Sequence, residues 1–442
     1  MSSQQVAGPR RSLGLGDAIA IIVGTVIGAG IYETTPLIAN ETSGMWQLVW
    51  VFLLGGLCAV IGALCYTELG TTVNRTGGDF EYLAAAYGNH VAFVFAWMTF
   101  WVVQPASVGA IAYIFARYAA ELHPGLGPPH FAQLSALAVT ALTVANTFGM
   151  QVGAIAQKLL TTLKVAGILV LVAAGFSLAG PSPELAAAPT QEPNLGLALV
   201  LVMYTYGGWN VIVLVAAEVH DARHNLLRAL LLSLAAIVSV YVCTVLSFEH
   251  ALGHTMLANS GSAAARIASA AFGAPGAVFI SVLICITCLA NINATILTNS
   301  RIFFAFGRRW SAFAFLGRWD EQRNAPVNSL IAQGVIAIGL IFALAAGGES
   351  FKRLVVFSAP VFWLFFLLVS GALFILRRRQ PGASGFRVPL YPVLPLAFTA
   401  ICAWMLYSSL SYAWLTLARE AMAVGGLLVA GSIAAFLFHE SK

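Results

Sequence analysis

Long apolar segments, separated by short polar ones, occupy most of the chain. Twelve of them come close to or exceed the roughly 20 residues that an α-helix needs to cross a bilayer, and they predict an all-α integral membrane protein with twelve transmembrane helices. The segments lie at about 15–39, 46–70, 88–119, 130–148, 155–180, 195–218, 227–249, 272–306, 328–347, 353–376, 391–412 and 415–438. The third and the eighth are longer than a bilayer is thick, so we expect these helices to tilt or to protrude.

Glycines interrupt the first segment in the stretch from Gly24 to Tyr32, GTVIGAGIY. Each glycine costs a helix about 1 kcal/mol relative to alanine. An opened backbone inside a membrane is tolerated only where it lines a cavity or is buried in protein. The stretch therefore predicts a helix unwound at mid-membrane with a binding site at the break. Close packing of helices through small residues is the alternative interpretation.

A second interruption lies in the sixth segment, from Tyr204 to Asn210, YTYGGWN. Each interrupted segment opens a set of five helices, and such corresponding breaks indicate an inverted-repeat transporter with its site at the repeat interface. The chain should thus consist of an N-terminal tail, two five-helix repeats of opposite topology and a peripheral pair, helices 11 and 12. These parts correspond to residues 1–14, 15–180, 195–376 and 391–438.

The chemistry of two such breaks suits a zwitterion. The N–H groups at the start of a half-helix carry partial positive charge and favour a carboxylate, whereas the carbonyl groups at a helix end favour an ammonium group. Neither break contains Lys, Arg or His, so the backbone alone would hold both ends of the ligand. Glu33 follows the first break, and a carboxylate inside a membrane is a functional candidate as an ammonium partner or proton carrier. A solvated position in an outer vestibule is the alternative.

The distribution of basic residues between the loops predicts the orientation of the protein in the membrane. Only 9% of the residues are charged and 60% are hydrophobic, whereas soluble domains carry roughly 25% charged residues. With the N-terminus inside, most basic residues fall on the cytoplasmic side, as the positive-inside rule requires. We therefore expect an integral protein of a bacterial inner (plasma) membrane with both termini cytoplasmic. The net charge of +5 does not indicate nucleic-acid binding, because the basic residues lie where membrane topology would place them.

The cysteines do not indicate a metal centre. All six lie within apolar segments, and the pair Cys285 and Cys288 lacks the second pair that a metal site of this spacing would need. Packing is the favoured interpretation, so we expect no disulfide, metal or cofactor. The polar loops contain no nucleophile–base or metal-ligand cluster, which makes an enzyme the least favoured class.

Several stretches resemble one family of transporters. Ile22–Tyr32 looks like the first-helix signature of the amino acid–polyamine–organocation (APC) superfamily, and Tyr204–Asn210 is similar to the sixth helix of its L-type amino acid transporter (LAT) branch. Further matches are Gly77–Leu83, Glu218–Ala229, Asn299–Ala305 and Ala325–Leu330. They run from the first to the ninth segment in family order. The chain thus resembles a bacterial relative of the LAT family.

The resemblance implies a LeuT-type fold, alternating access and a set of site residues. Tyr204 would be the aromatic gate over the substrate, with a packing role as its alternative. The backbone amides around the first break would bind the substrate carboxylate, and the carbonyls of the second break would bind its ammonium group. The amides are those of Val26, Gly28, Ala29 and Gly30, and the carbonyls are those of Tyr204, Thr205 and Gly207.

Lys164 lies in the middle of the fifth segment. A cation at this depth costs at least ~2.5–3.5 kcal/mol unless it is paired or solvated. In sodium-independent relatives a lysine at the matching point resembles a substitute for a sodium ion that ties the fifth helix to the backbone near Gly28. Snorkelling to the interface is the alternative. The resemblance disfavours sodium coupling and leaves proton coupling open.

Side chains around the breaks offer a possible pocket but little specificity. Its candidate residues are Glu33, Ser107, Trp209, Asn210, Phe357 and Trp363. Apolar surroundings favour a neutral substrate side chain. Heavy-chain-linked relatives carry a cysteine in the outer loop that matches Glu121–Pro129; this loop has none, so we expect no disulfide-linked heavy subunit.

The sequence therefore predicts a sodium-independent secondary transporter of L-amino acids that works by exchange or facilitated diffusion. One alternative is a proton-coupled carrier of cationic amino acids or polyamines, with Glu33 recognising the extra amine. A non-transporting substrate sensor is an alternative of another class. A channel is disfavoured because the segments offer no ring of charges.

Overall fold

A computed structural model describes residues 14–73, 78–123, 125–148, 154–180, 192–210, 222–323, 325–344, 350–381 and 385–438. The regular structure of these residues is helical, apart from one isolated β-bridge between Asp320 and Ala325. The helices are α1 (Leu15–Val26), α2 (Gly30–Asn40), α3 (Met45–Val73), α4 (Asp79–Tyr87), α5 (Asn89–Met98), α6 (Gln104–Ala120), α7 (Phe131–Thr147), α8 (Ala154–Ser177), α9 (Leu195–Thr205), α10 (Ala222–Leu252), α11 (His254–Ala258), α12 (Ala263–Arg309), α13 (Val327–Ala343), α14 (Ser350–Arg379), α15 (Val393–Thr416) and α16 (Ala418–Leu437).

The described residues contain eight continuous helices that are long and apolar enough to cross a membrane. A ninth candidate span is the pair α1 and α2, which meet at an angle of 50°. The shorter helices α9 and α13 are also apolar. An all-helical membrane protein is therefore confirmed. The count of twelve spans stays a prediction, and the second half of the sixth predicted span, at 211–218, lies outside the described residues, as do most of the N-terminal tail and the last four residues.

Local sequence explains two irregular helices. A π-helical turn at Thr99–Val103 joins α5 to α6. It ends two residues before Pro105, which cannot supply a helical N–H. In α12 the backbone at Gly273 adopts φ 71°, and Pro275 follows. The chain bends there because the glycine leaves the helical region and the proline removes a hydrogen bond. The bend lies at the predicted start of the eighth span.

Contacts between helices define two ends of the bundle. At the end that we call the α4 end, Arg379 of α14 donates to the carbonyls of Ala85 and Ala86 on α4. At the opposite end, the α11 end, α11 packs against α2. Between these ends α6 packs against both α12 and α14, whereas α15 packs on α14 and α16 on α5. Large apolar side chains on α15 and α16 face outward, as lipid contact requires.

Candidate functional site

The first break separates α1 from α2. The helix α1 ends at Val26, Ile27 is extended with ψ 94°, and α2 starts at Gly30. The first N–H groups of a helix have no partner within that helix, so the start of α2 offers free donors to a ligand. The end of α1 is partly satisfied, because the Tyr241 hydroxyl donates to the Val26 carbonyl at 2.7 Å.

The second break follows the end of α9 at Thr205. The Gly207 amide donates to the Tyr204 carbonyl at 3.0 Å, which closes a tight turn directly after the helix. Gly208 has φ 103°, a left-handed conformation that favours glycine. A Cβ on Gly208 would lie 2.8 Å from Thr25 Cγ2. The two breaks therefore touch, and glycine is required for the contact.

We expect Gly208→Ala to destabilise the protein by about 1–2 kcal/mol, because it adds left-handed strain and a clash with Thr25. The measurement is the unfolding temperature in detergent, together with amino acid uptake. Gly425→Ala on α16 is the matched control, since a Cβ there meets no atom within 4 Å. Equal unfolding temperatures for the two variants would contradict the required contact.

One side chain joins the two breaks. Tyr241 on α10 is fully buried, and its hydroxyl lies 2.7 Å from the Val26 carbonyl and 3.3 Å from the Thr205 carbonyl. A hydroxyl has one proton, so it donates to one carbonyl at a time. A second link is the hydrogen bond of 2.7 Å between the hydroxyls of Thr34 and Thr205.

Tyr241→Phe should cost about 1–3 kcal/mol of stability, because it leaves a buried carbonyl at the break without its donor. Thermal unfolding and substrate affinity measured on the same preparation test this. Tyr407→Phe removes a hydroxyl from an exposed tyrosine and is the control. If Tyr241→Phe unfolds at the wild-type temperature, the bridge contributes nothing.

A cavity of about 430 Å³ opens between the breaks. The predicted backbone positions on both breaks line it: Val26, Gly28, Ala29, Gly30, Tyr204, Thr205 and Gly207. Ser107, Asn210 and Trp363 from the predicted pocket line it as well. From the breaks the cavity extends to Gly78, Asp79 and Phe80 at the α4 end.

Three predicted pocket residues are not part of the cavity lining that the structure describes. Glu33 is buried in α2, and its Oε1 lies 2.7 Å from the Arg117 guanidinium, so it is paired and not solvated. Trp209 packs edge-on against Tyr66, with ring centroids 5.1 Å apart. Phe357 is buried in α14. These three side chains make packing or ion-pair contacts.

Lys164 is buried in α8 and joins three helices. Its Nζ donates to the Gly24 carbonyl at 3.2 Å and to Asn291 Oδ1 at 2.8 Å. The expected link to the first break thus reaches Gly24, in the last turn of α1. Asn291 continues it to Gly28, where a Cβ would lie 2.7 Å from Asn291 Nδ2.

Sequence reasoning missed several polar groups of the site. Asn291 and Asn299 both line the cavity from α12, and Asn299 donates to Gln104 Oε1 at 2.6 Å. Among the described residues that line the cavity, Asp79 alone has a charged side chain. Asn299 and Asp79 lie in two stretches that carry the family resemblance, Asn299–Ala305 and Gly77–Leu83, but the resemblance gives neither residue a polar role.

Ion pairs hold α2 to its neighbours at the α11 end. Arg117 joins Glu33 and also donates to the Gly261 carbonyl at 2.8 Å. Lys352 Nζ lies 3.0 Å from Glu41, immediately after α2. These contacts fasten α2 to α6 and α14.

His254 adds a further link at this end. Its Nδ1 lies 2.6 Å from Glu249 and its Nε2 lies 2.9 Å from the Thr42 carbonyl. Burial lowers the pKa of His254, but the hydrogen bonds to Glu249 and Thr42 outweigh it and raise the pKa above its usual value. A charged imidazolium supplies the two N–H donors that this geometry needs.

Comparison with known proteins identifies this arrangement. The family described as amino acid permease matches residues 13–418. The chain belongs to this amino acid permease family of the APC superfamily. It is an integral membrane amino acid transporter, and members of the family are transporters and not enzymes. The resemblance seen in the sequence motifs is thereby confirmed.

Similar proteins include amino acid exchangers and transporters. The serine/threonine exchanger SteT of Bacillus subtilis (strain 168) is 27% identical over 410 residues, 91% of this chain and 92% of that protein. The b(0,+)-type amino acid transporter 1 of Homo sapiens is 25% identical over 406 residues, 90% of this chain and 82% of that protein. The large neutral amino acids transporter small subunit 2 of Homo sapiens is 25% identical over 405 residues, 88% of this chain and 75% of that protein.

Proposed function

We propose that this permease is a sodium-independent secondary transporter of L-amino acids that works by alternating access, through exchange or facilitated diffusion. The observation that carries the proposal is the shared cavity of two interrupted helices, bridged by Tyr241. The proposed architecture is a LeuT-type fold of twelve transmembrane helices. It has inverted repeats at 15–180 and 195–376 and a peripheral pair at 391–438.

In this proposal the backbone binds the groups that all amino acids share. The N–H groups around the first break take the carboxylate, and the second break takes the ammonium group through the carbonyls of Tyr204, Thr205 and Gly207. Both sets border one cavity, which supports this division. Tyr204 is the proposed gate, because it borders the cavity and packs edge-on against Phe351 at the start of α14, with centroids 5.6 Å apart.

Lys164 is the proposed substitute for a sodium ion. Its ammonium group occupies a buried position between the Gly24 carbonyl and Asn291, where it supplies the positive charge that a bound cation would otherwise bring. An ammonium group at this point would take the place of a bound sodium ion in the proposed transport cycle.

The proposed orientation places the α4 end in the cytoplasm of a bacterial inner membrane, with both termini on that side. Arg308, Arg309 and the run Arg377–Arg379 end their helices at the α4 end, which agrees with the positive-inside rule. The cavity then extends from the breaks toward the cytoplasm, and the α11 end is the outer end.

Neutral polar and apolar groups surround the breaks, which supports a neutral substrate. The alternative, a carrier of cationic amino acids or polyamines, loses support at Glu33 because this carboxylate is already paired with Arg117. It gains support from Asp79, which borders the same cavity.

Counterflow into proteoliposomes with a panel of L-amino acids tests the proposal. We expect accumulation of labelled amino acid without sodium and no gain when sodium is added. Uptake that requires sodium would contradict the role of Lys164. Preferential uptake of agmatine or putrescine would favour the polyamine alternative, and saturable binding without counterflow would favour a sensor. Substrates whose carboxylate is masked as an amide should not be transported.

A further inference from the structure

A single charged group faces the cavity in the part of the chain that the structure describes. Asp79 is the first residue of α4 and lines the cavity at the α4 end. The other described residues that line the cavity have neutral side chains. A carboxylate in this position attracts cations from the whole cavity, because walls of low dielectric focus its field.

The surroundings of Asp79 are aromatic. Phe80 follows Asp79 in the chain and lines the cavity, and the Arg309 guanidinium lies over its ring, 5.5 Å from the centroid. Phe366 lines the cavity as well. The Tyr66 hydroxyl faces the Asp79 carboxyl, and the Tyr66 ring packs on Phe366 with centroids 5.6 Å apart. A carboxylate among aromatic rings is the usual composition of a site for an organic ammonium group, since the rings attract the cation through their faces.

We propose that Asp79 and these aromatic side chains form a cation-binding subsite for an ammonium group of the transported amino acid. This inference rests on the proposed transport function and adds a second position to the path of the substrate. At the breaks the backbone binds the α-carboxylate and the α-ammonium group. At Asp79 an ammonium group meets a full negative charge, either the α-ammonium of a substrate that enters or leaves or the side chain of a cationic one.

The charge of Asp79 depends on pH. Burial raises the pKa of Asp79 to about 6. Within the described residues, the titratable groups that face it are two tyrosines, Tyr66 from α3 and Tyr82 on α4. The charged side chain of Arg309 on α12 lies over the ring of the neighbouring Phe80. Above pH 6 the Asp79 carboxylate is ionised and binds a cation. Below pH 6 a proton binds the carboxylate instead of the cation.

The test uses Asp79→Asn in purified protein and in proteoliposomes. Glu81→Gln removes the same charge from the same helix at a residue outside the described cavity lining and is the matched control. We expect Asp79→Asn to weaken substrate binding at pH 7.5 by about ten- to a hundredfold, the range of a hydrogen bond to a charged group. Glu81→Gln should bind as wild type, and Asp79→Glu should recover most of the affinity.

Two substrate pairs distinguish the sources of the ammonium group. Arginine against citrulline and lysine against norleucine differ in side-chain charge and little in shape. If Asp79→Asn weakens both members of each pair equally, the subsite takes the α-ammonium group. A selective loss of arginine and lysine assigns it to the side chain. Either result supports the subsite, and unchanged affinity for all four would overturn it.

A measurement on the wild-type protein covers the case in which Asp79→Asn does not fold. Affinity for the preferred substrate should fall between pH 7.5 and 5, with a midpoint near the pKa of about 6. Constant affinity over this range would overturn the proposal. Failure of the transport function has a different signature, because then no amino acid shows counterflow in the wild type. Counterflow that is identical in Asp79→Asn and wild type refutes the subsite alone.

Discussion

Replacing Lys164 by methionine is expected to reduce amino acid counterflow to background. The substitution removes the buried ammonium group that joins the Gly24 carbonyl to Asn291, so the hydrogen bond between α8 and the last turn of α1 is lost. Two buried acceptors would be left without their donor, at a cost of about 1–3 kcal/mol each. The measurement is counterflow in proteoliposomes, with the amount of reconstituted protein matched between samples.

Arg323→Met is the control for this prediction, because Arg323 is a half-exposed basic residue in the segment between α12 and α13. It should transport as wild type. A Lys164→Met protein that is monodisperse, folded and fully active without sodium would contradict the proposed role of the lysine. A variant that gains a dependence on sodium would support it, since an ion would then occupy the vacated position.

A large loss of stability is expected when the ion pair between Glu33 on α2 and Arg117 on α6 is broken. Arg117→Met leaves the Glu33 carboxylate without its cation, although the Glu33 side chain is only 1% exposed. Breaking a buried pair from one side costs about 3–5 kcal/mol, because the remaining charge is uncompensated. We expect a clearly lower unfolding temperature in detergent, and cavity-facing residues should become accessible from the α11 end.

A double variant separates charge from packing in this pair. Glu33→Gln combined with Arg117→Met removes both charges, and it should recover most of the stability that Arg117→Met alone loses. Arg266→Met is the control, since Arg266 is an exposed residue of α12 at the same end of the bundle. If the double variant is as unstable as the sum of the single ones, the two charges do not interact.

The fold was predictable to the extent that lipid dictates it. A helix pairs its backbone N–H and C=O groups within one segment, and lipid offers these groups no other partners, so hydropathy located the helices. The first break was equally visible, because glycines weaken a helix wherever they occur. The bend at Gly273 carries a similar local signal in its glycine and the proline that follows.

The partners of the site were much harder to predict. Tyr241 and Asn291 lie within long apolar helices, where one polar side chain has no local signature, and only the packing of α10 and α12 brings them to the breaks. Glu33 is unusual as a carboxylate inside a membrane, but its partner Arg117 lies on α6, with α3, α4 and α5 between the two helices in the sequence. Asp79 lies in a stretch that carries the family resemblance, but the sequence alone does not show that α4 brings this carboxylate to the cavity.

The contacts at the α11 end affect the apparent affinity for substrate at the two faces of the membrane. Arg117, Lys352 and His254 must release their partners before α2 can move away from α6 and α14. In the proposed alternating-access cycle we therefore expect the population that is open to that face to be a minor one. A ligand arriving there binds with its intrinsic affinity reduced by the fraction of open molecules. We expect the apparent Michaelis constant to be higher at the α11 face, so that the breaks are filled mainly from the α4 face.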